Sequence, residues 1–250
     1  MTVPERDMPE EMPSLQPHQH HQLRQPLVLT KRDMITKLNG RYASAGNHIA
    51  WALRRHKLIK LKNGLYIETR AYLREPDKIR LTEYLASRIY SPSYISVEYV
   101  LIKCGMLMGN HHTATPAITS VTSKSTRNFM NYTGKFVYQN IASEWRERCS
   151  NIGIEETSFL EYSYRMATKA RALFDYLYLY KGLHHRNHKQ RKNQLLHDLG
   201  IAWGNFSEKD LEEFGRCVWR SGSKKMMDVL AIIRDYLEER GPDALLESLL

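Results

Sequence analysis

The sequence predicts an α+β protein in which an N-terminal winged helix-turn-helix precedes a larger mixed domain with a small sheet and several helices. Three observations predict it. Residues 30–67 read as two short helices followed by a hairpin, and positive charge is concentrated on the same stretch. Beyond residue 78, β-branched runs alternate with segments of helical periodicity. The expected organisation is an arm at residues 1–25, a nucleic-acid-binding module at 26–75 and a second domain at 78–250.

Residues 1–25 are Pro, Gln, His and charge, with too few large apolar groups to repay the entropy of ordering, so a flexible arm is expected. His18, His20 and His21 belong to that polar arm rather than to a metal site, and the arm either touches DNA weakly through Arg24 or does nothing. The N-terminus carries no hydrophobic run of the secretory kind, and no stretch of about 18 apolar residues occurs anywhere. A cytoplasmic protein with no membrane partner is the expectation.

Thr30 and Asp33 form a capping-box-like start, Met34, Ile35 and Leu38 share a helical stripe, and Gly40 stands where that helix would stop, after about three turns. Ser44 is read as the cap of a second helix running to about His56. At ~100° per residue, Ala45, Ile49, Ala50, Ala52 and Leu53 fall on one side of it, and Asn47, His48, Trp51, Arg54 and Arg55 on the other. An amide, an imidazole, an indole and two guanidiniums on one exposed face suit a helix in the major groove. Arg bonds guanine bidentately, Asn does the same with adenine, and each good pair discriminates by ~1–3 kcal/mol.

Lys62-Asn63-Gly64, between Leu58-Ile59-Lys60-Leu61 and Leu65-Tyr66-Ile67, predicts a hairpin with both turn positions at positive φ. After a second helix, such a hairpin is a wing. From Gln25 to Glu75, eleven basic residues face three acidic ones, a net +8 of the chain's +10. Charge so concentrated points to phosphate, with Lys31, Arg32, Lys60 and Lys62 as backbone contacts and Asn47, His48, Trp51, Arg54 and Arg55 as the reading face. The competing reading is a solvated basic face on a protein–protein module.

Tyr72 to Asp77 breaks periodicity and reads as a linker. Ile79, Tyr84, Leu85 and Ile89 predict an amphipathic helix ending near Ser91-Pro92, and Tyr94 to Gly105 a Ser-capped helix closed by glycine. Strands are expected at Ile118–Ser123, at Gly134–Gln139 and over Ser158–Tyr164. A helix begins at about Ala167, with Ala170, Leu173, Phe174, Leu177 and Tyr178 along one face. It carries Arg171 and Asp175 four residues apart, which predicts an intrahelical ion pair in preference to a catalytic carboxylate.

Lys181 to Lys192 is a basic stretch in which His184 and His188 have helical metal-ligand spacing. With no carboxylate among them, a solvated loop or an anion-contacting surface is favoured over zinc. Leu211, Phe214 and Val218, then Met226, Leu230, Ile233 and Leu237, mark two tail helices. From Ser207 onward, ten acids outweigh seven bases, so this end is not expected to share a DNA contact. The three cysteines, Cys104, Cys149 and Cys217, are far apart and odd in number, which predicts reduced thiols and no zinc cluster.

The chain resembles the AbiEi-type antitoxins, the regulator half of bacterial type IV toxin–antitoxin and abortive-infection systems associated with phage resistance. The resemblance covers roughly Leu27 to Lys181. Ala50-Trp51-Ala52-Leu53-Arg54-Arg55-His56-Lys57-Leu58-Ile59 through Asn63-Gly64-Leu65-Tyr66-Ile67 is similar to that family's recognition helix and wing. Tyr94-Ile95-Ser96-Val97-Glu98 to Gly105 is similar to the helix after its linker. Thr122, Thr126-Arg127 and Phe136-Val137-Tyr138 are similar to its strand region. Ala167 to Leu179 is the most telling piece, although Lys169, Ala170 and Arg171 stand where the family often has Pro-Glu-Lys. The family also usually has a further helix before the one starting at Thr30, and the tail after Lys181 has no family counterpart.

The resemblance implies a repressor that binds inverted repeats in its own operon through the winged helix. It further implies a C-terminal domain that neutralises a nucleotidyltransferase toxin without a stable complex, with Arg171 and Asp175 candidates for that antitoxin role. A monomer in solution is compatible with two copies on paired half-sites. No catalytic constellation assembles from the sequence, which has no P-loop, no Gly-x-Gly-x-x-Gly and no His-Glu-x-x-His, so neither an enzyme nor a cofactor is expected. The alternatives are a stand-alone regulator, a nucleic-acid-acting enzyme using the His184/His188 stretch, or an RNA-binding protein using some of the fifteen tyrosines.

Overall fold

Three short strands near the start of the fold divide their side chains between two cores. The structure, a computed structural model, describes residues 27–37, 42–108, 117–141, 151–184 and 187–240. The expected arm at 1–25, the helix stop at Gly40 and Cys149 lie outside the described residues. β1 (Val28–Thr30), β2 (Leu58–Lys62) and β3 (Leu65–Glu68) form an antiparallel sheet in the order β1–β3–β2, with α1 (Lys31–Lys37) and α2 (Tyr42–Arg54) between the first two strands in sequence.

Successive strand residues point to opposite faces. Leu29, Leu58 and Tyr66 therefore join Met34, Ile49 and Ala52 in a small core under the two helices, while Val28, Ile59, Leu61, Leu65 and Ile67 join the main core of the chain. Each of these buried aliphatic side chains contributes about 1.5–3 kcal/mol relative to exposure. The sheet is thus apolar on both faces. The register slips between Lys60 and Lys62, so that Lys60 stands opposite Tyr66 while Lys62 stands opposite Leu65.

Local chemistry fixes the ends of these elements. Thr30 N–H donates to Asp33 Oδ2 at 2.7 Å and Asp33 N–H to Thr30 Oγ1 at 3.2 Å, the expected reciprocal cap. Gly64 takes φ 78°, but Asn63 does not share the positive φ expected of it. Helix α2 starts at Tyr42, which puts Ser44 inside the helix rather than at its cap, and Ala50, assigned to the buried side, is exposed. The expected linker is shorter than the sequence suggests, because α3 (Thr69–Arg74) runs into it and leaves Glu75 to Asp77 as the connection.

The second sheet has six strands in the order β6–β7–β5–β4–β9–β8. They are β4 (Ser93–Ile95), β5 (Ile118–Thr122), β6 (Arg127–Asn131), β7 (Gly134–Asn140), β8 (Ile154–Phe159) and β9 (Tyr162–Ala167); β5 runs parallel to β7 and β4 to β9, and the other neighbours are antiparallel. All five residues of β5 are buried, as a central strand covered on both faces requires. The architecture is α+β, as the sequence predicts.

Helix α4 (Lys78–Ile89) packs Leu81, Tyr84, Leu85 and Ile89 against β4, β5, β8 and β9; Ile79, expected on that face, is 64% exposed. The helix predicted from Tyr94 to Gly105 divides into β4 and α5 (Glu98–Lys103), with Val97 at φ 61° between them. The strand predicted over Ser158–Tyr164 is instead the β8–β9 hairpin, turning at Leu160 with φ 53°.

Helix α6 (Lys169–Leu179) buries Ala170, Leu173, Phe174 and Leu177 as expected. Its C-terminal carbonyls are closed by Lys225, whose Nζ donates to the oxygens of Leu177, Tyr178 and Tyr180 at 2.8, 2.9 and 3.1 Å. The basic stretch after it is not a loop: a 3-10 turn (Lys181–His184) precedes α7 (His188–Asn193), which widens into a π-helical turn over Gln194–Asp198. His184 and His188 thus belong to separate elements rather than to one helical face. Helix α8 (Glu208–Ser221) opens on a Ser207–Asp210 capping box and ends at Gly222 with φ 63°; α9 (Lys224–Arg240) follows and packs against it. None of the described helices is long and apolar enough to cross a membrane.

Candidate nucleic-acid interface

Helix α2 has the two faces that its periodicity predicts, except that Ala50 is exposed and Leu53 half-buried. Ala45, Ile49 and Ala52 are buried beneath it, whereas Asn47, His48, Trp51 and Arg54 are exposed on the far side, with Arg55 exposed in the turn that follows. That turn is tight: Arg55 N–H donates to Trp51 O at 3.0 Å and Lys57 N–H to Ala52 O at 2.8 Å, with His56 at φ 53°. It brings Lys57 back over the helix, so that Nζ lies 4.5 Å from the centroid of the Trp51 ring. His48 stands on the other side in sequence, 5.7 Å from the indole. Trp51 remains 39% exposed, an indole presented to solvent between two nitrogen-bearing side chains.

The cations expected to touch phosphate do not share one surface. Lys31 and Arg32 are exposed at the start of α1, which adjoins the β2–β3 turn through a 3.2 Å bond from Lys31 N–H to Gly64 O. Lys60 is exposed opposite Tyr66, whose ring lies in the core beneath the helices, so Lys60 projects on the α2 side of the sheet. Lys62 stands opposite Leu65 on the other side and is half-buried. Burial, then Lys124 and Arg88, push its ammonium below the ordinary lysine value.

Three further cations enter the α2 surface. A groove of about 1010 Å³ runs beside the C-terminal half of α2, with His48, Trp51, Lys57, Arg70, Leu73 and Arg74 among its walls. Arg70 and Arg74 are exposed on α3, a helix that the sequence reading passed over because six residues hold no full periodic pattern. The signal for them was their charge, which counted toward the basic total without being assigned to a site. Among the described residues, Arg54, Arg55, Lys57, Lys60, Arg70 and Arg74 make no ion pair.

The second expected pair lies deep in the main core, on α6. Arg171 and Asp175 are 1% and 0% exposed, and Arg171 Nε donates to Asp175 Oδ1 at 3.0 Å, the ion pair that the four-residue spacing predicts. Asp175 Oδ2 accepts from Ser96 Oγ at 2.7 Å and from Tyr94 OH at 2.9 Å, while Arg171 Nη2 donates to that same Tyr94 oxygen at 2.6 Å and Nη1 to Ile152 O at 2.7 Å. Ser96, placed inside the helix predicted from Tyr94 to Gly105, serves this carboxylate instead.

Burial pushes the Asp175 carboxyl upward against the pull of Arg171, Ser96 and Tyr94. Burial opposes the charge of Arg171, but Asp175 and Tyr94 outweigh it and hold the guanidinium protonated. A carboxylate held in this way is an anchor between β4 and α6. Arg171 and Tyr94 also line a pocket of about 590 Å³ together with Ser93, Thr122 and the exposed Arg165.

The chain matches no protein-family model and no curated protein sequence.

A second buried carboxylate escaped the sequence reading. Glu83, fully buried on α4, accepts from Tyr99 OH at 2.7 Å, from Lys103 Nζ at 2.6 Å and from Tyr164 OH at 2.6 Å. Burial and the hydrogen bond to Glu83 raise both tyrosine hydroxyls above their ordinary value. Its partners lie 16 to 81 residues away, so no local pattern announces them. Among the described residues no three His, Cys, Asp or Glu side chains gather as a metal site; Cys104 is exposed and Cys217 buried.

Proposed function

We propose that this protein is a DNA-binding repressor of its own operon, with α1, α2 and the β2–β3 hairpin working as a winged helix-turn-helix in the bacterial cytoplasm. The observation that carries this reading is the exposed face of α2, where Asn47, His48, Trp51, Arg54 and Arg55 stand over a buried face of Ala45, Ile49 and Ala52. Asn and Arg are the side chains that bond adenine and guanine bidentately, and helix α2 presents both with no ion pair among the described residues to satisfy first. Lys31, Arg32, Lys57, Lys60, Arg70 and Arg74 supply phosphate neutralisation around it, while Lys62 contributes from the other side of the sheet.

The resemblance to AbiEi-type antitoxins supports a second role, non-enzymatic neutralisation of a nucleotidyltransferase toxin by the domain after residue 78. In this reading Arg171 and Asp175 act by positioning β4 and α6, since their burial keeps a protein partner away from Asp175.

The test is charge reversal at Arg54 and Arg55 in the full chain, assayed on the duplex upstream of the gene and on a scrambled duplex of equal length. Loss of specific binding with unchanged thermal unfolding supports the reading. Retention of binding with the same sequence preference removes α2 as the reader. For the antitoxin role, co-expression with a nucleotidyltransferase encoded beside this gene should restore growth. Failure to do so leaves a stand-alone regulator.

A further inference from the structure

One face of the six-stranded sheet gathers side chains from four strands, and from the end of a fifth, around a single pocket. Tyr94 of β4 stands opposite Val121 of β5, and Val121 stands beside Gln139 of β7, two residues before Ile141. Ile141 carries that ladder one step further, its N–H donating to Thr122 O at 3.2 Å. On the other flank Met166 stands beside Ile95, so Arg165 falls on the Tyr94 face; Ile154 of β8 stands opposite Ala167, two residues along from Arg165. Residues two apart on a strand share a face, so Tyr94, Val121, Ile141, Ile154 and Arg165 point the same way. With Arg171 of α6 they are among the walls of the pocket of about 590 Å³.

These walls divide into an apolar part and a charged part. Val121 and Ile141 are buried and Ile154 is half-buried. Arg171 is held by Asp175, Tyr94 and Ile152 O, and its charge is countered by the Asp175 carboxylate at 3.0 Å. Arg165 brings a second guanidinium, exposed at the rim; Glu156, opposite it across the β8–β9 hairpin, accepts from Ser163 Oγ. An arginine has five N–H donors in a planar fork that matches a carboxylate, so it can hold one beside another partner.

A concavity of this size, with apolar walls and a few convergent polar groups, has the ordinary form of a small-molecule site. A duplex cannot enter it. Val121, Ile141 and Ile154 offer nothing to the hydration shell of an inorganic anion, which would lose water against them without return.

We propose that this pocket binds a small monocarboxylate, its apolar body on Val121, Ile141 and Ile154 and its carboxylate held by Arg165 beside Arg171. The proposal does not rest on the DNA-binding reading and adds a ligand to the domain that follows the winged helix.

The test is calorimetric titration of the full chain with three probes: benzoate, benzamide, which keeps the ring without the charge, and inorganic phosphate, which keeps charge without the ring. Wild type is compared with R165Q, with I154W, which fills the pocket from its half-buried edge, and with K209Q, an exposed change on α8. The expected result is one benzoate per chain, bound about tenfold or more tightly than benzamide or phosphate, since a hydrogen bond to a charged group is worth at least that factor. R165Q should weaken benzoate by a similar factor, I154W should abolish it, and K209Q should leave it unchanged. Thermal unfolding without probe establishes that each variant is folded, and R165Q alone carries the test if I154W is not.

A wild-type chain that takes up no benzoate at millimolar concentration overturns the site. So does equal benzoate binding in R165Q and K209Q, which would mark an adventitious contact, and so does phosphate or benzamide bound as well as benzoate. None of these outcomes bears on whether α2 reads DNA.

Discussion

Gly153 lies against Arg171 so closely that a Cβ at position 153 would stand 2.7 Å from the Arg171 Cβ. The same added atom would meet Glu213 Oε1 at 2.5 Å and Thr168 Oγ1 at 2.8 Å, and Gly153 takes φ 64°. Gly153→Ala should therefore cost about 1–2 kcal/mol for the left-handed backbone and about 1–3 kcal/mol for the crowding. The expected outcome is a urea midpoint lowered to match, with the unfolding slope unchanged.

The buried pair on α6 should behave asymmetrically. Asp175→Ala leaves the Arg171 guanidinium buried without its counter-charge and should destabilise by about 3–5 kcal/mol. Replacing both residues with apolar ones of nearer volume, Arg171→Met with Asp175→Val, should cost clearly less than the single change. A double-mutant cycle on unfolding free energies checks this, and a double variant no more stable than Asp175→Ala would contradict it.

On α2, two kinds of variant should separate. Asn47→Ala should flatten preference at a single base pair by about 1–3 kcal/mol, whereas Lys60→Gln should weaken binding to all sequences and shallow the salt slope. Trp51→Ala removes an indole that is 39% exposed and a cation–π contact worth about 0.5–1 kcal/mol, so its unfolding midpoint should move little. A panel of single-base operator variants distinguishes these patterns.

Acid should loosen the contact between α6 and α8. Burial raises the Asp210 carboxyl, but hydrogen bonds from Lys169 and Ser207 more than reverse it, leaving the carboxyl below the ordinary value of 3.8. With the folded value below the unfolded one, this stabilisation is complete above about pH 4 and is lost as pH falls through the folded value. Unfolding measured from pH 5 to pH 3 should show a smaller acid-induced loss in Asp210→Asn than in the wild type.

The features that could be read along the chain are those whose partners are close in sequence. Thr30 meets Asp33 three residues on, Arg171 meets Asp175 four residues on, and the two faces of α2 follow from helical repetition alone. β1 went unseen because three residues give alternation nothing to repeat. The role of Ser96 went unseen because its partner Asp175 is 79 residues away. Lys60 and Lys62 looked equivalent because two residues apart on a strand normally means one face; the register slip between them sends them to opposite sides.

The three-stranded sheet, apolar on both faces, sets a limit on how the chain can be taken apart. A fragment ending at residue 75 would bare Val28, Ile59, Leu61, Leu65 and Ile67 to water, a sticky flank that favours self-association over native behaviour. Conversely, the remainder would lose part of the lid over its own interior. The halves should melt as one cooperative unit. Any molecule that binds the first half tightly then raises the melting temperature reported by tyrosines in the second, so occupancy at one end can be followed from the other.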